Sequence, residues 1–310
     1  MIPKKTVIIG SRTSQLALWQ TQYIIEQLQV AWPDLECRIE RIITKGDKTL
    51  DIPLPQIGGK GLFTLELENA LRAGQIDLAV HSLKDLPVEN SKGLTVGAIK
   101  GRADVRDVLI TRAAVGVGDS TLGSLPFRAV VGTGSLRRQG QLMIVRPDLR
   151  VQSIRGNVET RIRKVQEGLV DATILAAAGV MRLDLEHHVS QWLPLDVMLP
   201  APGQGALAVQ CRAADEETLA LLAGIHQADV AAAVKAERSF LFHLGGGCAT
   251  PVAAYAKQKE NHVHLRGQVV ALDGSRQIEV EGSGAGGWEL GQRLAEKALA
   301  KGAHEILSDA

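Results

Sequence analysis

A set of cations stands where short apolar runs end: Arg12, Lys84, Arg137, Arg138, Arg155 and Arg161, with Lys60 inside a glycine-rich stretch. A guanidinium group binds a carboxylate or phosphate through two parallel hydrogen bonds, which the point charge of a lysine does not match. The helix starts expected after Ser11–Ser14 and after Thr133–Ser135 add backbone N–H donors for anions. Any one of these arginines taken alone is equally well a solvated surface charge. The adjacent pair Arg137-Arg138 is harder to explain that way, because it opens a helix, where the macrodipole disfavours cations. The set points to a ligand with several anionic groups.

Two further residues could do chemistry among such cations. Asp85 follows Lys84 in His81-Ser82-Leu83-Lys84-Asp85-Leu86-Pro87. Spacing alone reads it as a helix cap or an ion-pair partner. Facing a cationic ligand site, it becomes a candidate for proton transfer and charge stabilisation. Cys248 follows Gly245-Gly246-Gly247, and the glycines leave its thiol accessible and let another group approach closely. The other cysteines, Cys37 and Cys211, lie in apolar-patterned segments and read as packing. An odd count of three without a CxxC spacing excludes a disulfide framework and the common zinc and iron–sulfur patterns. A reducing compartment follows. His262 and His264 share one face of a strand without a third ligand, so no metal site is expected. Gly282-Ser283-Gly284-Ala285-Gly286-Gly287 matches G-x-G-x-x-G in form, but the chain beyond it is too short for a following parallel strand and acid, and a turn is expected.

The elements that must position these residues alternate. Val7–Ile9 is a short β-branched run stopped by Gly10, as in a buried parallel strand. The helix after Ser14 places Leu16, Trp19, Tyr23 and Leu28 towards one face. Ile39–Thr44 reads as a second strand, Phe63, Leu67, Ala70 and Leu71 as a helix closed by Gly74, and Ile76–Val80 as a third strand. This βαβαβ grammar implies a parallel sheet. It recurs loosely from residue 129: Ala129-Val130-Val131 runs into Gly132, Val151–Ile154 into Arg155-Gly156, and Gly168-Leu169-Val170-Asp171-Ala172 echoes Gly74-Gln75-Ile76-Asp77-Leu78. Two similar lobes facing a cleft are expected, with the site in loops at strand C-termini. Lys100–Asp107 and Leu199–Gly205 are the candidate crossovers. The last ninety or so residues read as α+β: a helix at Ala231–Phe242, strands at Val252–Tyr255, His262–Val270 and Arg276–Glu281 with a hairpin at Asp273-Gly274, and a final helix near Leu290–Lys301. The long stretch 46–61, rich in glycine and proline, reads as a lid or a mobile loop.

Composition agrees with a globular enzyme. The 310 residues suit two or three domains, and 45% hydrophobic against 22% charged residues allow a sizeable core. A formal net charge of +1 argues against a dedicated nucleic-acid binder. No apolar run approaches the ~18 residues of a membrane span, and the first residues lack the apolar core of a signal peptide. A cytoplasmic location, no membrane or nucleic-acid partner and a monomer are expected.

Taken in order, several stretches resemble the porphobilinogen deaminase family: Gly10-Ser11-Arg12-Thr13-Ser14-Gln15-Leu16, Gly58-Gly59-Lys60-Gly61-Leu62-Phe63, His81-Ser82-Leu83-Lys84-Asp85, Gly132-Thr133-Gly134-Ser135-Leu136-Arg137-Arg138, Arg155-Gly156-Asn157-Val158-Glu159-Thr160-Arg161, Gly203-Gln204-Gly205-Ala206 and Gly246-Gly247-Cys248. The resemblance implies an α/β fold of two periplasmic-binding-protein-like βα lobes around a cleft plus a smaller C-terminal α+β domain. Lobe 1 would take residues 1–100 and 199–220, lobe 2 residues 101–198, and the C-terminal domain residues 221–310. It implies polymerisation of porphobilinogen with loss of ammonia, and a dipyrromethane cofactor joined to Cys248 by a thioether. Asp85 would be the catalytic carboxylate. Lys84, Asp85, Ser14, Thr133, Ser135, Arg137, Arg138 and Gly156 would bind the cofactor; Arg12, Arg155, Arg161, Lys60, Phe63 and Gln204 would bind substrate. Three positions depart from the family's usual pattern. Gly134 replaces a serine, Gly245 an acid before the Gly-Gly-Cys run, and Gln210 the acid that usually follows Gly-Gln-Gly-Ala.

Overall fold

The alternating apolar runs resolve into three sheets. The computed structural model describes residues 4–48, 64–112, 121–247 and 250–309. The chain runs β1 (Thr6–Ser11), α1 (Gln15–Ala31), β2 (Glu36–Arg41), α2 (Lys45–Lys48), α3 (Leu65–Arg72), β3 (Leu78–Ser82), β4 (Leu94–Arg102), β5 (Asp107–Thr111), β6 (Val130–Gly132), α4 (Leu136–Val145), β7 (Arg150–Gln152), α5 (Val158–Gln166), β8 (Ala172–Ala176), α6 (Ala177–Met181), β9 (Gln191–Trp192) and β10 (Ala206–Arg212). It continues with α7 (Glu216–Ala223), α8 (Ala228–His243), β11 (Val252–Lys259), β12 (His262–Val270), β13 (Gln277–Gly284), α9 (Gly287–Ala300) and α10 (Ala303–Ser308). Two compact units emerge. One is Met1–Leu50, Gly59–Arg102 and Gly205–Ala231; the other is built on Ala103–Gln204 and Ala232–Ala310.

The first unit carries a five-stranded sheet of order β2-β1-β3-β10-β4. β2, β1 and β3 are parallel, while β10 runs antiparallel to both its neighbours. The sheet is therefore mixed, where the βαβαβ grammar alone implied a parallel one; a strand returning from residue 206 is inserted between β3 and the edge strand β4. Val7, Ile9, Ile24, Leu28, Leu78 and Val209 share one core. The helix α1 begins where Ser14 Oγ accepts the Ala17 N–H at 3.3 Å. It turns Gln20, Thr21, Ile24, Ile25 and Leu28 inwards. The expected face through Trp19 is corrected: Trp19 is 39% exposed and stacks on Tyr23 at 5.5 Å, while Thr21 is buried because its hydroxyl donates to Ser11 Oγ at 2.8 Å. The strand expected at Ile39–Thr44 lies earlier, because β1 fixes its register from Thr6↔Glu36 to Ser11↔Arg41.

The second unit contains a sheet of order β7-β6-β8-β5-β9, with β7, β6 and β8 parallel and β5 antiparallel to β8 and β9. The loose echo in the sequence is a shared device. In the first sheet Asp77 accepts the Ile8 N–H at 2.9 Å while its own N–H donates to the Ile8 carbonyl at 2.7 Å. In the second, Asp171 does the same with Val130, at 2.8 and 2.9 Å. Each aspartate follows a glycine of positive φ, Gly74 at +69° and Gly168 at +77°, which stops the preceding helix in the left-handed conformation that glycine adopts at least cost. The crossover expected at Lys100–Asp107 narrows to residues 103–106, since β4 extends to Arg102 and β5 starts at Asp107.

The third sheet, β11-β12-β13, is antiparallel throughout, and Asp273-Gly274 lies in the connection between its last two strands. It packs within the second unit. A β-carbon on Gly140 of α4 would overlap the Val270 side chain and approach the Ala271 carbonyl to 2.8 Å, so α4 lies directly against the end of β12. The G-x-G-x-x-G look-alike runs from the antiparallel strand β13 into α9, and a β-carbon on Gly287 would come within 2.6 Å of the Ala232 carbonyl. These glycines serve close approach between α9 and α8. Glu237 of α8 is fully buried, and its two oxygens accept the N–H groups of Gly203 and Ala256, each at 2.7 Å. Replacing it by leucine orphans both donors, and an unmade hydrogen bond to a buried group costs about 1–3 kcal/mol. Glu237→Leu is expected to lower the stability of the second unit by roughly 2–5 kcal/mol in urea unfolding. A loss under about 0.5 kcal/mol would remove Glu237 from this role.

Among the described residues no single helix is long and apolar enough to cross a membrane. The bent pair α7 and α8 passes by length and composition only, and Leu221 and Leu222 of α7 lie in the core of the first unit.

Candidate functional site

In the first unit the C-terminal ends of the adjacent parallel strands β1 and β3 carry the expected residues. Arg12 follows β1 and is half-buried. β3 ends in a single helical turn, Leu83–Asp85, because Leu86 N–H closes onto the Leu83 carbonyl before Pro87 stops the turn. Leu83 points into the core and leaves Lys84 half-buried and Asp85 exposed. Ser14 Oγ accepts one N–H in capping the helix, and its O–H remains a donor. Ser82, next to this turn, accepts the amide of Gln20 at 2.9 Å.

Behind this edge His81 is buried at 6% exposure. Burial pushes its pKa down to about 4, the neighbouring Gln210 amide opposes this, and the Arg12 charge adds to the depression. His81 Nε2 and Gln210 Oε1 both lack a hydrogen bond of good geometry. The departure at Gln210 thus bears on this histidine: an amide there offers no charge to hold a proton on the ring. Because the folded pKa lies below the ordinary 6.5, the unfolded chain binds more protons between about pH 4 and 6.5. Stability is then full above pH 6.5 and falls as the pH drops towards 4, by about 3 kcal/mol in the limit. Gln210→Glu is expected to flatten that slope in urea titrations across this window, because a carboxylate favours imidazolium. An unchanged slope would show that other groups set it.

In the second unit Thr133 follows β6 and its Oγ1 accepts the Ser135 N–H at 3.2 Å. Ser135 caps α4 by accepting the Arg138 N–H at 3.4 Å. Gly134 has open space of ordinary van der Waals width at its β-position, so the glycine is not sterically required. Arg161 Nε donates to the Gly156 carbonyl at 2.9 Å, and Gly156 has φ +121° with the Thr160 side chain packed against it. Arg155 is half-buried, and its carbonyl accepts Lys164 Nζ at 3.0 Å. At the end of α8, Gly245 has φ +69° and its N–H donates to the Phe242 carbonyl. Glycine in place of an acid there suits a left-handed helix end. Cys248, Lys60 and Phe63 lie outside the described residues.

The arginine pair has an internal explanation that the dipole argument did not contain. Arg137 and Arg138 are 3% and 5% exposed, and both reach Asp107. Arg137 Nη1 donates to Asp107 Oδ2 and Arg138 Nη2 to Oδ1, each at 2.8 Å. Arg137 Nη1 also meets the Leu199 carbonyl at 2.7 Å, and Arg138 Nη1 the Ile174 carbonyl at 2.9 Å. Burial alone would push the Asp107 carboxyl up; the two guanidinium charges outweigh it and hold the carboxyl well below the usual range. Gln204, expected at substrate, is instead fully buried at this cluster, with its amide donating to Asp107 Oδ1 at 2.9 Å and to the Val105 carbonyl at 2.7 Å. Asp107 was missed in the sequence. Its signal is a lone acid leading an otherwise apolar strand, Asp107-Val108-Leu109-Ile110, directly after the crossover. Even with Asp107 in place, these three charges sum to one positive, and Nε of Arg137 and of Arg138 are buried without a hydrogen-bond partner.

Solved structures with distant likeness include the regulatory domain of OxyR2 from Vibrio vulnificus (TM-score 0.43, 14% identity, 73% of this chain and 96% of that one). A periplasmic VFT2 domain of BvgS from Bordetella pertussis gives TM-score 0.41 at 15% identity, over 72% of this chain and 87% of that one. Sequence likeness is far stronger. A protein from Brevibacillus brevis named porphobilinogen deaminase is 47% identical over 302 residues, covering 97% of this chain and 96% of its own. A namesake from Geobacter metallireducens is 46% identical over 311 residues, covering 100% and 96%. One family model, described as the porphobilinogen deaminase dipyromethane cofactor binding domain, matches residues 7–220, and a second, the C-terminal domain of the same enzyme, matches residues 231–300. With these two models together spanning most of its length and relatives 46–47% identical over nearly the whole of it, the chain belongs to the porphobilinogen deaminase family.

Proposed function

We propose that the chain is a hydroxymethylbilane synthase, a transferase that joins four porphobilinogen molecules head to tail and releases ammonia in tetrapyrrole biosynthesis. The observation that carries the reading is the likeness along residues 7–220 and 231–300, which takes in every strand end just described. The cationic residues fit a dipyrromethane group, whose acetate and propionate side chains are anionic. The cluster of Arg137, Arg138 and Asp107 keeps one positive charge and two unpartnered Nε donors in a buried place, where a carboxylate is the complementary guest. When bound, the dipyrromethane group would supply the free α-carbon to which the first pyrrole is joined, and each added pyrrole would supply the next. Cys248 would tether it through a thioether.

Asp85 would act on the incoming porphobilinogen. Loss of ammonia from its aminomethyl arm leaves a methylene-pyrrolenine cation, which a carboxylate beside the pyrrole N–H would stabilise; the same carboxylate would accept the proton lost from the attacking α-carbon after the carbon–carbon bond forms. Its exposure at the end of β3 suits a group that must meet a substrate. Lys84, Ser14, Thr133, Ser135, Arg137, Arg138 and Gly156 would hold the cofactor, and Arg12, Arg155, Arg161, Lys60 and Phe63 the substrate and growing chain. Gln204 would serve the substrate indirectly, through Asp107. Each addition brings two more carboxylates, so several arginines are a physical need of the reaction. We also propose the division into residues 1–100 with 199–220, 101–198 and 221–310, a cytoplasmic location, a monomer and no nucleic-acid or membrane partner. No group of side chains able to hold a metal ion is present among the described residues.

Intact-protein mass spectrometry together with ammonia release tests the reading. The purified chain is expected to be heavier than its sequence by two linked pyrroles and to release ammonia from porphobilinogen. A chain that bears no adduct yet turns over would overturn the cofactor assignment, and a chain that releases no ammonia would overturn the activity.

A further inference from the structure

The arginine pair is held with more order than a carboxylate grip needs. Two guanidinium groups on successive residues of one helix start diverge by about 100° around the axis, yet both reach the same buried carboxylate. Asp107 takes one Nη from each, and Gln204 holds the same carboxylate from a third direction. Next to Gln204, Gly203 is fixed in turn by Glu237. The cluster thus has a charge set by its own composition and a geometry set by residues on three other elements.

We propose that Asp107 is a positioning residue: by holding one Nη of each arginine it sets both guanidinium planes and cancels one of the two charges, so that the pair accepts a single ligand carboxylate through its unpartnered Nε–H side. Two buried arginines without Asp107 would carry two positive charges and take up two anions, or swing apart to solvent. With it, the pair keeps one positive charge and binds one carboxylate. The ligand class rests on the function proposed above; the local claim about Asp107 does not.

The test is chemical rescue. Asp107→Ala leaves a hole of the size of one carboxylate, which formate fits. In the as-isolated holoprotein the variant is expected to lose about 10–100-fold in kcat/KM for porphobilinogen, mostly in KM, as misplaced binding groups cost. Formate, but not chloride at equal ionic strength, is expected to recover a large part of that loss and to raise the thermal midpoint of the variant while leaving the unaltered chain unchanged. The thermal readout needs no turnover, so it separates this claim from the activity reading. Equal effects of formate and chloride on the variant, or a kcat/KM within about twofold of the unaltered chain, would overturn the proposal. Should Asp107→Ala fail to fold, Asp107→Asn keeps the volume and raises the cluster's charge by one. Its midpoint is expected to rise with propionate more steeply than that of the unaltered chain, and an equal rise would overturn the proposal as well.

Discussion

Cys248→Ser is expected to yield a chain whose mass equals its sequence and whose ammonia release from porphobilinogen falls to background. The nucleophile of a cysteine is its thiolate, and a serine hydroxyl is not ionised near neutral pH. Neither remaining thiol can take over. Cys211 is fully buried, and burial pushes its pKa up to about 11. Cys37 lies half-buried on the edge strand β2, and burial with the Glu36 charge raises it also. Both favour the inert thiol form. Helix α8 and the strand β11 flank the segment and carry their own cores, so folding and far-UV circular dichroism are expected to persist. An adduct of two pyrroles on Cys248→Ser would place the tether elsewhere, with Cys37 the first position to examine by peptide mapping.

Asp85→Asn is expected to keep the adduct and the fold and to lose roughly 10²–10⁴ in kcat, the range that a positioned acid–base group contributes. The side chain is exposed in its single turn, so its removal leaves no buried group orphaned and the urea midpoint should move by less than about 0.5 kcal/mol. Asparagine keeps the size and one acceptor but loses the charge that would stabilise a developing cation. The loss therefore falls on kcat, with KM within a few-fold. Retention of more than about a tenth of the activity would assign the proton and charge work to another group. The contrast with Asp107 is useful: the exposed carboxylate is expected to change chemistry without stability, and the buried one both.

Much of this was legible in the sequence where a local rule acts alone. Ser14 and Ser135 cap their helices as their types and positions suggest. The repeated Gly…Asp segments at 74–77 and 168–171 reflect the same clamp of strand and turn. What could not be read depends on contacts far apart in the chain. The face of α1 includes a hydroxyl pair, Thr21 with Ser11, so Trp19, which suggested a face, lies outside it while Tyr23 packs at its edge. The start of β2 is set by pairing with β1, since its own residues are mostly exposed and impose no pattern. Asp107 shows locally only as an acid leading an apolar strand; its meaning comes from arginines 30 residues later and a glutamine beyond both. A helix-dipole argument sees the cations and not the anion that answers them.

The place of β10 between β3 and the edge strand β4 bears on how the chain is made. β3 and β4 meet only through it, so the sheet of the first unit stays divided until residues 206–212 have left the ribosome. Roughly 100 residues separate the end of β4 from that strand, which at about 5–20 residues per second leaves two naked strand borders waiting for some 5–20 s. During vectorial synthesis the five-stranded sheet of the first unit is thus completed after that of the second, whose last strand ends at Trp192, although β1 is translated first. Nascent chains stalled before residue 206 should be more readily captured by chaperones, and more readily cut by protease, than chains released just after residue 231.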